Sequence, residues 1–242
     1  MSRLDHSSDR SIHTVLVPQG AEHRAVQAGC RRANPSVVVV PLPLGQAAGD
    51  ALGRWLADHP PPLTGGYLLV GLGGGLAPDL RVGDRVLCDR ALMPQTGTPL
   101  TNYSFDNDLT VGIHQRLPGL VLGTAVGSDR IITQAEEKRH LHQRYGAAVV
   151  DMESPSVLRT LRSYGANLAM VRVISDDSRH NLPDITRAIN PDGSLRPLAL
   201  AAQFGQAPVA AGRLIIGSLR GLATLETLMF QLFQASPEAL NP

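Results

Sequence analysis

The sequence predicts an α/β domain, and three observations carry that prediction. Short apolar runs with strand character alternate along the chain with segments whose apolar residues fall at helical spacing. Two of the runs, Ala148 to Asp151 and Asn167 to Ser175, break into carboxylates and are joined by a single helical segment, as a βαβ unit would be. Another run, Tyr67 to Leu72, passes straight into Gly73, Gly74 and Gly75. Ligands of α/β sheets bind beyond the carboxyl ends of strands, so a small-molecule site is expected where these acidic and glycine-rich exits meet. A chain of 242 residues with 43 % hydrophobic content is long enough for one large α/β domain or two small ones.

The polar stretch 1–12 lacks an apolar signal-peptide core and is expected to be a disordered leader, with residues 13–242 forming a single domain. Thr14 to Val17 is a short buried strand. Pro18, Gln19 and Gly20 then turn the chain into a helix that opens with Glu22, where a carboxylate complements the helix dipole. Ser36 to Pro41 is a second strand and Ala47 to Ala57 a helix, followed by a stiff turn at Pro60, Pro61 and Pro62. After the glycines, a turn at Val82-Gly-Asp84 leads into the strand Arg85 to Asp89, which suggests an antiparallel excursion. Residues 94–108 are polar and predict a mobile loop, in which Tyr103 and Phe105 either cover a ligand or pack onto the domain.

Gly119 to Val126 is a further strand, and Gln134 to Tyr145 a charged helix. His140 and His142 stand two residues apart and do not share a helix face, so they form no metal pair. Ser154 stands where an N-cap belongs, with Pro155 at the first helical position and Val157, Leu158 and Leu161 behind it. Glu153 therefore faces free backbone N–H groups and the positive end of a helix dipole, which suits an ionised acceptor. Leu198 to Phe204 is an apolar helical segment, and Pro208 opens a long helix reaching Phe233. Its apolar face, Leu214, Ile215, Leu219, Leu222, Leu225, Leu228 and Met229, is either a packing or subunit surface or one that meets a lipid-like substrate at a membrane.

Composition excludes several classes. A net charge of +1 with scattered arginines gives no reason to expect nucleic acid as a partner. Lys138 is the sole lysine and follows no glycine-rich loop, so there is no P-loop. A Schiff-base enzyme would depend on Lys138 alone, in a charged and exposed stretch from Glu136 to Arg139. With Gly71 and Gly73 as the first glycines of a dinucleotide fingerprint, Leu76 holds the third place and Ala77-Pro78 replaces the helix, so that reading fails. Cys30 and Cys88 show no metal or redox spacing, which predicts a reduced, cytoplasmic setting without a metal. No uncharged apolar stretch approaches the roughly 18 residues of a membrane span.

The run Val150-Asp-Met-Glu-Ser154, followed by Arg172-Val-Ile-Ser-Asp176, resembles the signature of the purine nucleoside phosphorylase and nucleosidase family. Gly71 to Pro78 and Val82-Gly-Asp84 are similar to that family's glycine loop and the strand after it. Ser175 to Arg196, with Leu182-Pro183 and Pro191-Asp-Gly193, resembles the hopanoid-associated phosphorylase branch, also called adenosylhopane nucleosidase. The resemblance spans residues 12 to 225. It implies a three-layer phosphorylase/hydrolase fold, a mixed central sheet flanked by helices, and a homo-oligomer. It also implies cleavage of the N-glycosidic bond of an adenine nucleoside, without an organic cofactor. The favoured substrate is a 5′-substituted adenosine such as adenosylhopane, with methylthioadenosine or S-adenosylhomocysteine as the enzymatic alternative. A catalytically silent nucleoside-binding protein on the same scaffold is the rival of another class.

That chemistry needs an acid at N7 of the departing base, negative charge and anchored hydroxyls around the ribose, and a nucleophile at C1′. The resemblance assigns the acid to Asp176, oriented by Ser175. A carboxyl that donates at neutral pH must have its pKa raised, which a partly buried strand end beside Asp177 would do. Glu153 and Met152 are implied at the ribose, Glu22 at an attacking water, and Ile131 and Ile132 against the purine ring. Arg172 either orients a carboxylate or forms a structural salt bridge. The backbone amides of Gly73 and Gly74 are free to approach a ligand. Phosphorylases of this family place an arginine and a hydroxyl side chain where Leu69 and Leu72 stand, and neither leucine can donate a side-chain hydrogen bond. Water is therefore favoured over inorganic phosphate as nucleophile, the latter remaining open through an unassigned arginine.

Overall fold

A computed structural model describes residues 11–61, 65–94, 100–183 and 207–234. Its elements, in chain order, are β1 (Ile12–Pro18), α1 (Ala21–Ala33), β2 (Val38–Leu42), α2 (Ala47–Asp58), β3 (Gly66–Gly75), β4 (Arg85–Met93), β5 (Thr101–Ser104), α3 (Asn107–Arg116), β6 (Val121–Gly127), α4 (Ala135–Tyr145), β7 (Val149–Asp151), α5 (Ser154–Ser163), β8 (Leu168–Asp176) and α6 (Pro208–Phe233). The mixed sheet flanked by helices is the expected architecture. The expected helical segment 198–204 lies outside the described residues.

The sheet curls until it closes on itself. β3 pairs in parallel with β8, β8 antiparallel with β4, β4 in parallel with β6, β6 in parallel with β7, and β7 antiparallel with the end of β3. β1 and β2 extend β3 in parallel, and β5 adds antiparallel to β4. Leu69, Val86, Cys88, Ala125, Val149, Met170 and Ile174 lie in one buried cluster, so every strand of the ring contributes to it. The same cluster takes Leu52 and Leu56 of α2 and Val157 and Leu161 of α5. Strand alternation sends Leu68, Val70, Val171 and Val173 to the other face, against Val26 of α1, Ile113 of α3 and Leu225 and Leu228 of α6.

Four expectations are corrected here. β7 and β8 are not a parallel βαβ pair: they run in opposite senses and do not pair with each other. Their acidic ends still meet, because Val150 of β7 lies opposite Gly74 from one edge of β3 while Asp176 of β8 lies opposite Gly74 from the other. The glycines are not a loop beyond the strand but its last residues, with Gly73 paired to β8, Gly75 to β7 and Gly74 to both. Thr101 to Ser104 within the expected loop form β5, and Phe105 is buried, so these residues pack onto the domain. Ser154 does not cap α5; it is the first residue of the helix, and its hydroxyl donates to Asp151 instead.

Two close approaches depend on glycine. A Cβ on Gly217 of α6 would lie 2.1 Å from the Ser175 carbonyl oxygen, and one on Gly29 of α1 would lie 2.3 Å from the Glu226 carbonyl oxygen. These contacts let α6 lie directly on α1 and on the end of β8.

Candidate active site

The strand ends and helix starts around Gly73 and Gly74 enclose a cavity of about 260 Å³. Nine of the residues singled out from the sequence line it: Glu22, Gly73, Gly74, Ile131, Ile132, Met152, Glu153, Ser175 and Asp176. These nine come from five separate parts of the chain. Leu44, Leu182 and Leu214 add apolar wall that sequence reasoning did not anticipate, and Ser218 of α6 adds a hydroxyl. Leu72 lines the cavity as well, whereas Leu69 is buried in the core.

Arg172 organises the acidic half. Alternation along β8 puts it on the face of Met170 and Ile174, fully buried. Its Nη2 donates to Asp151 Oδ2 at 2.6 Å and to Glu153 Oε2 at 3.3 Å. Burial disfavours the guanidinium charge, but Asp151, Glu153 and Glu22 more than offset this and raise its pKa above the ordinary arginine value. Both roles considered for Arg172, orienting a carboxylate and forming a structural ion pair, are met by one arrangement. Asp151 was not singled out from the sequence. It accepts four hydrogen bonds, from Arg172 Nη2, from the N–H groups of Glu153 and Ser154, and from Ser154 Oγ at 2.6 Å. It thereby satisfies the first turn of α5, and a carboxylate three residues before a Ser-Pro helix start was the available signal.

Glu153 has one oxygen on Arg172 and the other on the Gly45 N–H, at 3.2 Å. Burial raises its pKa, Arg172 opposes that, and Asp151 adds to it. Glu22, in the first turn of α1, accepts from the Leu72 N–H at 2.6 Å. Its pKa is pushed up from 4.5 to about 7, chiefly by burial; the Leu72 N–H pulls it down, Glu153 pushes it up, and Arg172 pulls it down. A methyl group on Gly71 would lie 2.5 Å from Arg172 Nη1 and 2.7 Å from Glu22 Oε2, so both groups converge over that glycine. Nη1 and Nε of Arg172 are buried without a hydrogen-bond partner among the described residues.

Asp176 is held at both oxygens. Ser175 Oγ donates to Oδ1 at 2.7 Å, and the Lys138 ammonium donates to Oδ2. Lys138 corrects an expectation: it is completely buried, not exposed, because α4 turns that side chain inward while its charged neighbours face out. Asp177 is engaged elsewhere. Its Oδ1 accepts from the Arg179 N–H and meets His180 Nδ1, each at 3.0 Å; burial raises its pKa, but these contacts outweigh burial and lower it. Arg24 is exposed, and His142 is held by the Ala147 carbonyl. Among the described residues no cluster of histidine, cysteine and carboxylate side chains could hold a metal ion, and no helix is long and apolar enough to cross a membrane.

Known structures share the architecture. Futalosine hydrolase of Helicobacter pylori strain 26695 superposes with a TM-score of 0.67 at 13% identity, covering 93% of this chain and 98% of that one. The H. pylori 5′-methylthioadenosine/S-adenosylhomocysteine nucleosidase gives 0.65 at 13% identity, covering 91% and 96%. The S. pneumoniae nucleosidase of the same name, bound to a transition-state inhibitor, gives 0.61 at 14% identity, covering 90% and 98%. At these identities the likeness establishes the fold alone. No curated protein sequence matches the chain. Residues 68–204, more than half of the chain and including most of the cavity wall, match the phosphorylase superfamily, and the chain therefore belongs to that superfamily, an enzyme of the nucleosidase or phosphorylase type.

Proposed function

We propose that the protein hydrolyses the N-glycosidic bond of an adenine nucleoside carrying an apolar 5′ substituent. The observation that carries this reading is the convergence of Asp176, Glu153 and Glu22, from three different parts of the fold, on one small cavity. Asp176, at the cavity wall, would supply the proton to the leaving base. Glu153, fixed at both oxygens, supplies acceptors for ribose hydroxyls and negative charge near the developing oxocarbenium ion. A water held in the cavity by Glu22 would be oriented for attack at C1′, with Glu22 taking its proton.

Water is preferred over phosphate on electrostatic grounds. Arg172 is already committed to two carboxylates, and a phosphate dianion at the same wall would face Glu22 and Glu153. Leu72 offers its N–H to Glu22 and leaves no side-chain donor for an anion. A silent binding protein would have no use for a half-buried carboxylate poised near neutral pH at the wall of the cavity.

The cavity is at the small end of ligand pockets, which suits the nucleoside core and leaves a long substituent outside. Leu214 and Ser218 bring α6 into the wall, and Ile216, Leu219 and Val209 of that helix are exposed, with Arg213 and Arg220 between and beside them. This strip supports a tailed substrate such as adenosylhopane and a peripheral contact with lipid. Methylthioadenosine or S-adenosylhomocysteine is the second reading, favoured by the apolar wall of Leu44, Leu72 and Leu182 next to the nucleoside core. The test is adenine release from methylthioadenosine and from a long-tailed 5′-alkyl adenosine, each with and without phosphate. Turnover of the tailed substrate without phosphate is expected; phosphate dependence would overturn the choice of nucleophile, and silence on both would overturn the reading.

A further inference from the structure

Resting on the nucleosidase reading, we propose that Lys138 is a positioning residue for the leaving-group step, and that it supplies the proton which Asp176 passes to the departing base. Lys138 is wholly buried, and its ammonium donates to Asp176 Oδ2 and, at 3.1 Å, to the Asp177 carbonyl. Asp176 itself remains slightly exposed to the cavity, while Lys138 does not line it. The lysine therefore reaches a substrate only through the aspartate.

The placement is built, not incidental. α4 and the residues just before it are stitched to the segment after β8 by three further contacts besides the ammonium. Arg139 Nη1 donates to the Ser178 carbonyl at 3.3 Å, the Ala135 N–H donates to Asn181 Oδ1 at 2.8 Å, and the Leu182 N–H donates to the Thr133 carbonyl at 2.8 Å. Gly74 keeps the strand wall clear beside the pair: a Cβ there would lie 3.3 Å from Asp176 Oδ2 and 3.9 Å from Lys138 Cε. With Ser175 on Oδ1 and Lys138 on Oδ2, the carboxyl group cannot rotate freely.

In the resting pair the acidic proton sits on the ammonium. Its transfer to Oδ2 leaves a neutral amine and a neutral carboxylic acid, which removes two opposite charges from a buried place. As the C1′–N9 bond breaks and its electron pair goes to the purine, the proton moves from Asp176 to N7 and the base leaves neutral. Water's oxygen bonds to C1′, and its proton goes to Glu22. The pair then stands as a neutral lysine beside an ionised aspartate, and a solvent proton restores the ammonium while Glu22 releases its own. No oxidant, metal or second substrate enters.

The experiment compares two leaving groups. Adenine needs the proton; 4-nitrophenolate, released from 4-nitrophenyl riboside, does not. In Lys138→Met, kcat for adenine release is expected to fall by about 100-fold or more, within the range for loss of general acid catalysis, while 4-nitrophenyl riboside hydrolysis stays within about threefold. Lys138→Gln, which keeps a donor for the Asp177 carbonyl but has no acidic proton, should show the same split and guards against misfolding of the first variant. Adding either change to Asp176→Asn should cost little more. Equal losses on both substrates would make Lys138 a structural clamp, and unchanged adenine release would remove it from the reaction; each overturns the proposal. A wild-type protein silent on both substrates would remove the nucleosidase reading and the proposal with it.

Discussion

Glu22 offers the sharpest test of the site, because one group links activity to stability with opposite signs. If it takes the proton of the attacking water, it must be ionised in the free enzyme. With its pKa pushed up to about 7 by burial, the ionised fraction drops to about a tenth at pH 6 and about a hundredth at pH 5. The expected profile of kcat/KM for adenine release therefore falls about tenfold per unit below neutrality. Glu22→Gln should lose on the order of 100-fold or more in kcat and lose that acidic limb. On the stability side, the folded chain binds more protons than the unfolded chain between pH 4.5 and about 7. Stability from this group is thus fully present below 4.5 and is lost as pH rises through 7. The shift from 4.5 to about 7 corresponds to an upper bound of about 3 kcal/mol. Removing the charge should therefore raise Tm more at pH 8 than at pH 5. A flat wild-type rate profile from pH 5 to 8, or a Glu22→Gln variant equally affected in Tm at both pH values, would refute the assignment.

Other expectations follow from the same packing. Arg172→Met leaves Asp151 and Glu153 buried without their cation, and should lower stability by about 3–5 kcal/mol in urea titration at pH 7; a loss under about 1 kcal/mol would contradict the pairing. Gly217→Ala would gain about 1 kcal/mol in a free helix, but with the Ser175 carbonyl 2.1 Å from the new Cβ the sign reverses. A lower Tm together with reduced kcat is expected, since the shift is transmitted to Ser175 and Asp176. Self-association, which the resemblance implies, is checked by light scattering on the full chain; a strictly monomeric species at micromolar concentration would rule it out.

Much of this site was legible because its residues cluster in short runs whose chemistry is local. Glu153 before a Ser-Pro helix start, Ser175 and Asp176 at a strand exit, and Gly73 and Gly74 behind an apolar run each announce a role within a few residues. The ends of α6 and the bulk of α2 followed from apolar and turn residues, and α4 from a run of charged helix formers. What escaped depends on contacts distant in sequence. The opposed directions of β7 and β8 are set by strand pairing around the ring, which no local pattern encodes. Lys138 sits among charged neighbours, so composition placed it in solvent, whereas its burial depends on Asp176, far along the chain. Asp151 looked like the last residue of a strand; its bonds to the first turn of α5 are local, but its pairing with Arg172 is not.

Closure of the sheet has a consequence for how such a protein can change over time. The strands that carry Asp151, Asp176 and Gly73 are each paired with two neighbours in the ring, so they do not slip independently. Glu22, Leu44, Leu182 and Leu214, by contrast, reach the cavity from helices and connecting segments outside the ring. Substitutions at those leucines can reshape the cavity without moving Asp151 or Asp176. The ring thus keeps the strand-borne wall of the cavity constant, while the leucines that reach it from outside are free to vary.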